Sequence, residues 1–149
     1  LFFEILNVLS EVKTIEEFDR AKNKIVDKIS NCVRKVQAKE IPLSDLAFNV
    51  MLSKAPNDYV KTIPQHIRAA KQLESIREIK KGETISYVKI LNKPGVKPVE
   101  LARQSEIDSS KYMEFMESML DQIISSMNLD FDTILGKPKQ TGLDQFFWN

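Results

Sequence analysis

Apolar residues recur at helical spacing in four stretches of the chain, and this pattern predicts four helices. The first covers residues 2–12. The second begins after Thr14, which forms a capping box with Glu17, and runs to about Lys39. Its buried stripe is expected to include Cys32 as a small apolar residue rather than a reactive thiol. The stripe comprises Phe18, Ile25, Ile29, Cys32 and Val36.

The other two helices lie in the middle and near the end of the chain. Pro64 suits the first position of a helix that we expect to reach about Arg77. Asp108 or Ser109 caps the last helix. Methionines on its apolar stripe could form an adaptable binding face, although helical spacing favours a core role. The stripe comprises Tyr112, Met116, Met119, Leu120, Ile123, Ile124 and Met127.

Between the helices, period-two alternation and turn residues predict a small β element. Residues 83–91 (ETISYVKIL) are rich in β-branched side chains and read as a strand. Residues 43–54 are expected to form a short turn and then an extended stretch, whereas residues 56–58 form a turn. Residues 92–98 hold prolines and a glycine and read as a loop, with residues 98–101 extended. The predicted fold is mainly α with a small β element, a helical domain over residues 1–135 and a flexible tail over 136–149.

Length and composition are those of an ordinary globular domain. The chain has 149 residues, 42% of them hydrophobic and 29% charged. One cysteine excludes an intramolecular disulfide, which favours a reducing, cytoplasmic compartment. No run approaches the ~20 apolar residues of a membrane span, so no membrane partner is expected. Because Leu1 lies within an apolar run, we expect the chain to be part of a longer protein.

Charge is unevenly distributed although the net charge is only +1. Residues 51–82 hold seven Lys or Arg against three Asp or Glu, whereas residues 100–133 hold eight acidic residues against two basic ones. This asymmetry favours an anionic partner for the middle of the chain. A solvated surface without a partner is the alternative.

The sequence predicts no catalytic residue and no cofactor of its own. Its four glycines are isolated, and a single Cys and a single His cannot provide a zinc site. His66 is the one candidate base, and at the start of a helix it is expected to be structural. Asp130 and Asp132 could hold a metal, but the pattern favours capping of a short turn.

The C-terminal sequence KQTGLDQFFW concentrates apolar side chains in a polar tail. Leu143, Phe146 and Phe147 are spaced i, i+3 and i+4, so one helical turn points all three the same way. Gln140 offers an amide at their edge. Such a group indicates a contact site on another protein, or else a tail packed on its own core.

This segment resembles the PCNA-interacting peptide, by which replication and repair proteins attach to the ring-shaped sliding clamp. The resemblance implies that a side pocket of the clamp takes the glutamine and a hydrophobic pocket takes the aliphatic and aromatic residues. Lys137 and Lys139 would add flanking positive charge. The clamp-binding residues would be Gln140, Leu143, Phe146 and Phe147.

The rest of the chain resembles the C-terminal thumb domain of archaeal-type family B DNA polymerases. Four segments carry the resemblance in the same order: IPLSDLAFNVML, LSKAPNDYVKTIPQHIRAAKQLE, IKKGETISYVKI and IDSSKYMEFMESMLDQIISSM. The second matches an R/K-x-x-x-x-Y element followed by a P-x-H-V-x-A-A-like helix. The matching residues there are Lys54, Tyr59, Pro64, His66, Ala69 and Ala70.

The family's palm motifs (D-x-x-S-L-Y-P-S, K-x-x-x-N-S-x-Y-G and Y-x-D-T-D-S) are absent from the sequence. The resemblance therefore implies a thumb without catalytic residues, whose parent would be a Mg²⁺-dependent DNA-directed DNA polymerase, a nucleotidyltransferase at the nucleoid. Its partners would be the palm, the primer–template duplex and the clamp. Because a thumb grips phosphates, DNA contacts are expected at Lys54, Lys61, His66, Arg68 and Lys71.

Two alternatives remain open at this point. The chain could be a clamp-binding adaptor of replication or repair without a polymerase context. It could also be a helical interaction protein whose tail packs on itself.

Overall fold

A computed structural model describes residues 1–136. The helices are α1 (Phe2–Ser10), α2 (Ile15–Gln37), α3 (Leu43–Leu46), α4 (Gln65–Leu73), α5 (Ser109–Ser126) and α6 (Phe131–Ile134). The strands are β1 (Phe48–Met51), β2 (Thr84–Lys89) and β3 (Val96–Pro98). Short 3₁₀ turns occupy Pro56–Asp58 and Gln104–Glu106. The expectation of a mainly α fold with a small β element is confirmed.

The described chain divides into two compact units, which we call the helical unit and the mixed unit. The helical unit comprises residues 1–34 and, within the described part, 113–136. The mixed unit comprises residues 35–112. The predicted boundary between a domain at 1–135 and a tail at 136–149 stays a prediction. Within residues 1–136 no helix combines the length and apolar character needed to cross a lipid bilayer.

The helical unit takes its buried side chains from four helices and from the residue that follows α5. The α2 helix starts as the sequence predicts, because Thr14 Oγ1 accepts the Glu17 N–H at 3.1 Å and Glu17 Oε2 accepts the Thr14 N–H at 3.2 Å. These two reciprocal hydrogen bonds satisfy two backbone N–H groups at the start of α2 that have no carbonyl partner within the helix. The buried residues are Ile5, Ala21, Ile25, Ile29, Val33, Met116, Leu120, Ile124, Met127 and Phe131.

Four expected core positions are not fully buried, since Phe18, Cys32 and Ile123 are half-buried and Met119 is exposed. Helical geometry gives the reason for Cys32 and Met119. The buried row of α2 passes through Val33 rather than Cys32, which is half-buried. The buried row of α5 passes through Leu120, leaving Met119 48% exposed. The side chain of the next residue along a helix points about 100° away around the helix axis, because one turn holds 3.6 residues. It therefore falls outside a narrow buried stripe.

The mixed unit contains an antiparallel sheet with strand order β1-β2-β3. Phe48 pairs with Tyr87, and Tyr87 pairs in turn with Pro98 on the other side. The α4 helix packs against β2 and β3. Their shared core consists of Leu52, Ile67, Ala69, Ala70, Leu73, Ile79, Ile85, Tyr87 and Val96.

The sequence missed β3 and extended α4 too far. Residues 96–98 form a strand and residues 99–101 a turn, the reverse of the expected order. Pro98 is tolerated because β3 is an edge strand. The α4 helix ends at Leu73 instead of Arg77. Beyond it, the Ser75 hydroxyl donates to the Gln72 carbonyl oxygen at 2.8 Å and the Ile76 N–H donates to the Leu73 carbonyl oxygen at 2.9 Å, which tightens the last turn.

Candidate nucleic-acid interface

The predicted DNA contacts lie on α4 and on the segment of residues 53–63 that connects β1 to it. We call this segment the basic loop. Its 3₁₀ turn is closed by the Asp58 N–H, which donates to the Ala55 carbonyl oxygen at 3.0 Å. Pro56 is buried and anchors the turn, which packs against α4. The loop is thus held to the mixed unit at its centre.

Tyr59 organises the surface of the basic loop. Its side chain is partly buried against the core of the mixed unit, and its hydroxyl is hydrogen-bonded to the Ser53 hydroxyl at 3.0 Å. The Lys54 Nζ lies 5.6 Å from the centre of the tyrosine ring. The His66 ring meets the same tyrosine edge-on, with ring centres 6.4 Å apart. Two of the predicted DNA-contacting residues therefore share one aromatic platform.

The predicted DNA-contacting residues differ in exposure, and the four Lys and Arg among them have no acidic partner within residues 1–136. Lys54, Lys61 and Arg68 are exposed, whereas His66 and Lys71 are half-buried. Arg68 and Lys71 are spaced i, i+3 on α4 and so lie on the same side of the helix. Within residues 1–136, no carboxylate forms an ion pair with any of the four Lys and Arg side chains in this set. Their charge is available to a polyanion.

The α4 helix begins at Gln65, so Pro64 is its N-cap rather than its first residue. The Pro64 carbonyl oxygen accepts the Ile67 and Arg68 N–H groups, both at 3.1 Å. Among the described residues no side-chain cap hydrogen bond is formed at this end, and the first turn of α4 holds no acidic residue. Nothing in the first turn therefore offsets the positive end of the helix dipole.

Arg77 belongs to the basic stretch by sequence, but the fold neutralises it. Its guanidinium donates to the Glu83 carboxylate at 2.6 Å, and the same carboxylate accepts the Lys80 N–H at 2.9 Å. The Arg77 hydrogen bond, helped by that of Lys80, holds the pKa of Glu83 below its usual value. The excess of positive charge is therefore concentrated in the basic loop and α4.

The sequence did not single out Ser53 or Val60 as part of this surface. Val60 is 86% exposed between Tyr59 and Lys61. In the sequence, the spacing of Lys54 and Tyr59 matches only a pattern of the family. The fold shows that this spacing places the lysine ammonium against the tyrosine ring. No periodicity in a loop could have indicated that contact.

The remaining candidate sites resolve as follows. Asp130 caps α6, since its carboxylate accepts the Asp132 N–H at 3.0 Å and the Thr133 hydroxyl at 2.7 Å, as the sequence favoured. Within residues 1–136, His, Cys, Asp and Glu nowhere gather in a group of three or more that could hold a metal. The predicted clamp-binding residues Gln140, Leu143, Phe146 and Phe147 lie outside the described residues, as do Lys137 and Lys139.

Comparison with known proteins gives concordant matches. The family model described as DNA polymerase family B matches residues 3–134. The chain is 36% identical over 147 residues to DNA polymerase 1 of Sulfolobus acidocaldarius and 36% identical over 148 residues to DNA polymerase 1 of Saccharolobus solfataricus. It is 34% identical over 139 residues to DNA polymerase 1 of Aeropyrum pernix.

These alignments cover nearly all of this chain but a small part of each relative. They span 98%, 99% and 93% of the chain, and 16%, 16% and 14% of the respective relatives. Among solved structures, the family B DNA polymerase from the hyperthermophilic archaeon Pyrobaculum calidifontis matches with a TM-score of 0.58 at 24% identity. That match covers 74% of this chain and 15% of the polymerase chain, and it shows a shared fold.

Proposed function

Because the chain belongs to DNA polymerase family B, we propose that it is the thumb of such a polymerase. In this role it performs no chemistry itself. It grips the primer–template duplex through the phosphate backbone, and it tethers the enzyme to the sliding clamp through its C-terminal peptide.

The observation that carries the grip is a group of Lys and Arg side chains on the basic loop and α4 that form no ion pair within the described part of the chain. Lys54, Lys61, Arg68 and Lys71 have no carboxylate partner within residues 1–136, and three of them are exposed. Such side chains bind phosphates with release of counterions and without reading the base sequence. His66, beside Tyr59, adds a donor to the same surface. A thumb needs this kind of contact because it must slide along the duplex.

The tether is supported by the C-terminal sequence. The spacing i, i+3 and i+4 of Leu143, Phe146 and Phe147 would place three large apolar groups on one side of a helical turn. Burying each of them in a hydrophobic pocket is worth about 1.5–3 kcal/mol before the cost of ordering the peptide. Gln140 would occupy a polar side pocket. The sum is enough for a reversible contact with a ring-shaped clamp.

The chemistry belongs to the rest of the polymerase. The chain spans 16% of the relatives from Sulfolobus acidocaldarius and Saccharolobus solfataricus, and its sequence lacks the palm motifs that carry the metal-binding aspartates. We therefore assign DNA-directed DNA polymerisation, and the Mg²⁺ that serves it, to the palm that this thumb accompanies. The natural setting is the archaeal cytoplasm, at the nucleoid.

Family membership favours this function over the adaptor and over the self-packed helical protein. An adaptor would need only the C-terminal peptide. It would have no use for a basic loop anchored to a folded unit by Pro56 and Tyr59.

The experiment is a binding titration of duplex DNA with the 149-residue chain and its charge variants. Lys54→Ala/Arg68→Ala is expected to weaken binding and to reduce the magnitude of the salt slope by about two. Lys24→Ala, which removes an exposed lysine of α2, is the matched control and is expected to leave both unchanged. Equal DNA affinity of the double variant and the wild type would contradict the proposed contact of these side chains with the phosphate backbone.

A further inference from the structure

We propose that Tyr59 is a positioning residue for DNA binding, which holds Lys54 in the orientation that meets a phosphate. This inference rests on the proposed function and deepens it. The residues expected to touch DNA are the cations, whereas Tyr59 acts through one of them.

The first support is that the tyrosine ring is fixed on several sides. It is partly buried against the core of the mixed unit, and its hydroxyl bonds to Ser53 at 3.0 Å. The Tyr59 N–H donates to the Pro56 carbonyl oxygen at 3.4 Å. The hydrogen bond between the two hydroxyl groups therefore ties Tyr59 to Ser53, the first residue of the basic loop. A ring held this way cannot follow the motion of an exposed side chain.

The second support is the placement of the Lys54 ammonium 5.6 Å from the ring centre, within the range of a cation–π contact. A lysine side chain has many rotamers, and ordering it on DNA costs free energy. Because the contact with the ring already restricts the Lys54 rotamers, less side-chain entropy is lost when DNA binds. The ring attracts the ammonium without neutralising it, so the full charge stays available to a phosphate. A carboxylate in the same place would order the lysine but compete with the DNA.

The contact also explains why a tyrosine suits this position better than an aliphatic residue. Leucine would fill the partly buried space but offer neither a ring face to Lys54 nor a hydroxyl to Ser53. Phenylalanine would keep the ring face and lose only the hydroxyl. The two substitutions therefore separate the ring from the hydrogen bond.

The test is a double-mutant cycle on duplex affinity, with the full chain at low salt. Tyr59→Leu is expected to weaken binding about two- to fivefold in the wild-type background and to have a smaller effect in the Lys54→Ala background, where the ring contact with His66 is still lost. Tyr59→Phe is expected to lose less than twofold. A purely structural role for Tyr59 would weaken binding by the same factor in both backgrounds, and that result would overturn the inference.

The same cycle separates this inference from the proposed function. If Lys54→Ala leaves DNA affinity unchanged, the DNA contact proposed for Lys54 is refuted, whereas the grip as a whole is tested by the Lys54→Ala/Arg68→Ala variant. If Lys54→Ala weakens binding but Tyr59→Leu is not coupled to it, only the positioning role is refuted.

A second measurement does not depend on the folding of a variant. In the DNA-free wild type, the Lys54 side-chain protons nearest Nζ are expected to show an upfield ring-current shift in the NMR spectrum. Ordinary lysine shifts there would overturn the positioning role.

Discussion

The Tyr112 hydroxyl donates a hydrogen bond to the Leu46 carbonyl oxygen at 2.9 Å, across 66 residues of sequence. The same hydroxyl accepts the Lys89 N–H at 2.9 Å. It thus links the end of α3, the end of β2 and the first turn of α5. Burial raises the pKa of this phenol above its ordinary value of 10.0, so that the hydroxyl stays protonated and able to donate well above neutral pH.

Tyr112→Phe is expected to destabilise the protein by about 1–3 kcal/mol, because it leaves a part-buried carbonyl and a part-buried N–H without their partner. Urea unfolding followed by circular dichroism measures the change. Tyr87→Phe is the matched control, since that hydroxyl has no hydrogen-bond partner within residues 1–136. It is expected to be nearly neutral. Equal losses in the two variants would contradict the linking role of Tyr112.

A second polar contact, between Lys97 on β3 and Glu106 in the following 3₁₀ turn, gives the mixed unit a dependence on pH. The Lys97 ammonium donates to the Glu106 carboxylate at 2.9 Å, and the Arg103 N–H donates to the other carboxylate oxygen at 2.9 Å. The hydrogen bond from Lys97 is the main reason why the pKa of Glu106 lies below its ordinary value of 4.5.

Because the folded state lowers this pKa, the pair stabilises the protein fully above the ordinary glutamate pKa of 4.5. That stabilisation is lost as the pH falls through the lower, folded value. Glu106→Gln is expected to flatten the decline of unfolding free energy with acid, measured by urea unfolding at neutral and acid pH. Lys97→Met removes the other partner and is expected to flatten it in the same way. A wild-type acid dependence in both variants would exclude the pair as its source.

The third prediction concerns the proposed clamp-binding peptide. Phe146→Ala/Phe147→Ala is expected to lower the affinity for an archaeal sliding clamp at least about a hundredfold, because each phenylalanine contributes about 1.5–3 kcal/mol when buried. Isothermal titration of clamp with the full chain measures it. Gln145→Ala changes a residue between the apolar positions and is the matched control, expected to retain binding. Unchanged clamp affinity in the double variant would favour a tail that serves this molecule instead.

Much of the fold was predictable from local sequence pattern, and the wrong predictions arose where contacts distant in sequence decide the structure. The Thr14–Glu17 capping box and the β2 strand are encoded by neighbours in sequence, and both form as predicted. Met119 and Cys32 were misplaced because apolar character at adjacent helical positions does not say which one faces the core. Only the packing of the other helices decides between them.

Longer-range pairing explains the remaining misses. The β3 strand contains Pro98 and follows Pro94 and Gly95, so its composition indicates a loop. It is a strand because β2 supplies an edge to pair with, from Tyr87↔Pro98 to Lys89↔Val96. In the candidate site, the cations were predictable from charge, but their arrangement around Tyr59 depends on a turn that no sequence period describes.

The most direct test of the account is the salt dependence of duplex binding by the wild-type chain, measured for two duplexes of unrelated sequence. Contacts to three or four phosphates predict a slope of log K against log salt of about −2.7 to −3.6, the same for both duplexes. Binding that is absent at low salt, insensitive to salt or confined to one of the two sequences would contradict a thumb that grips the backbone.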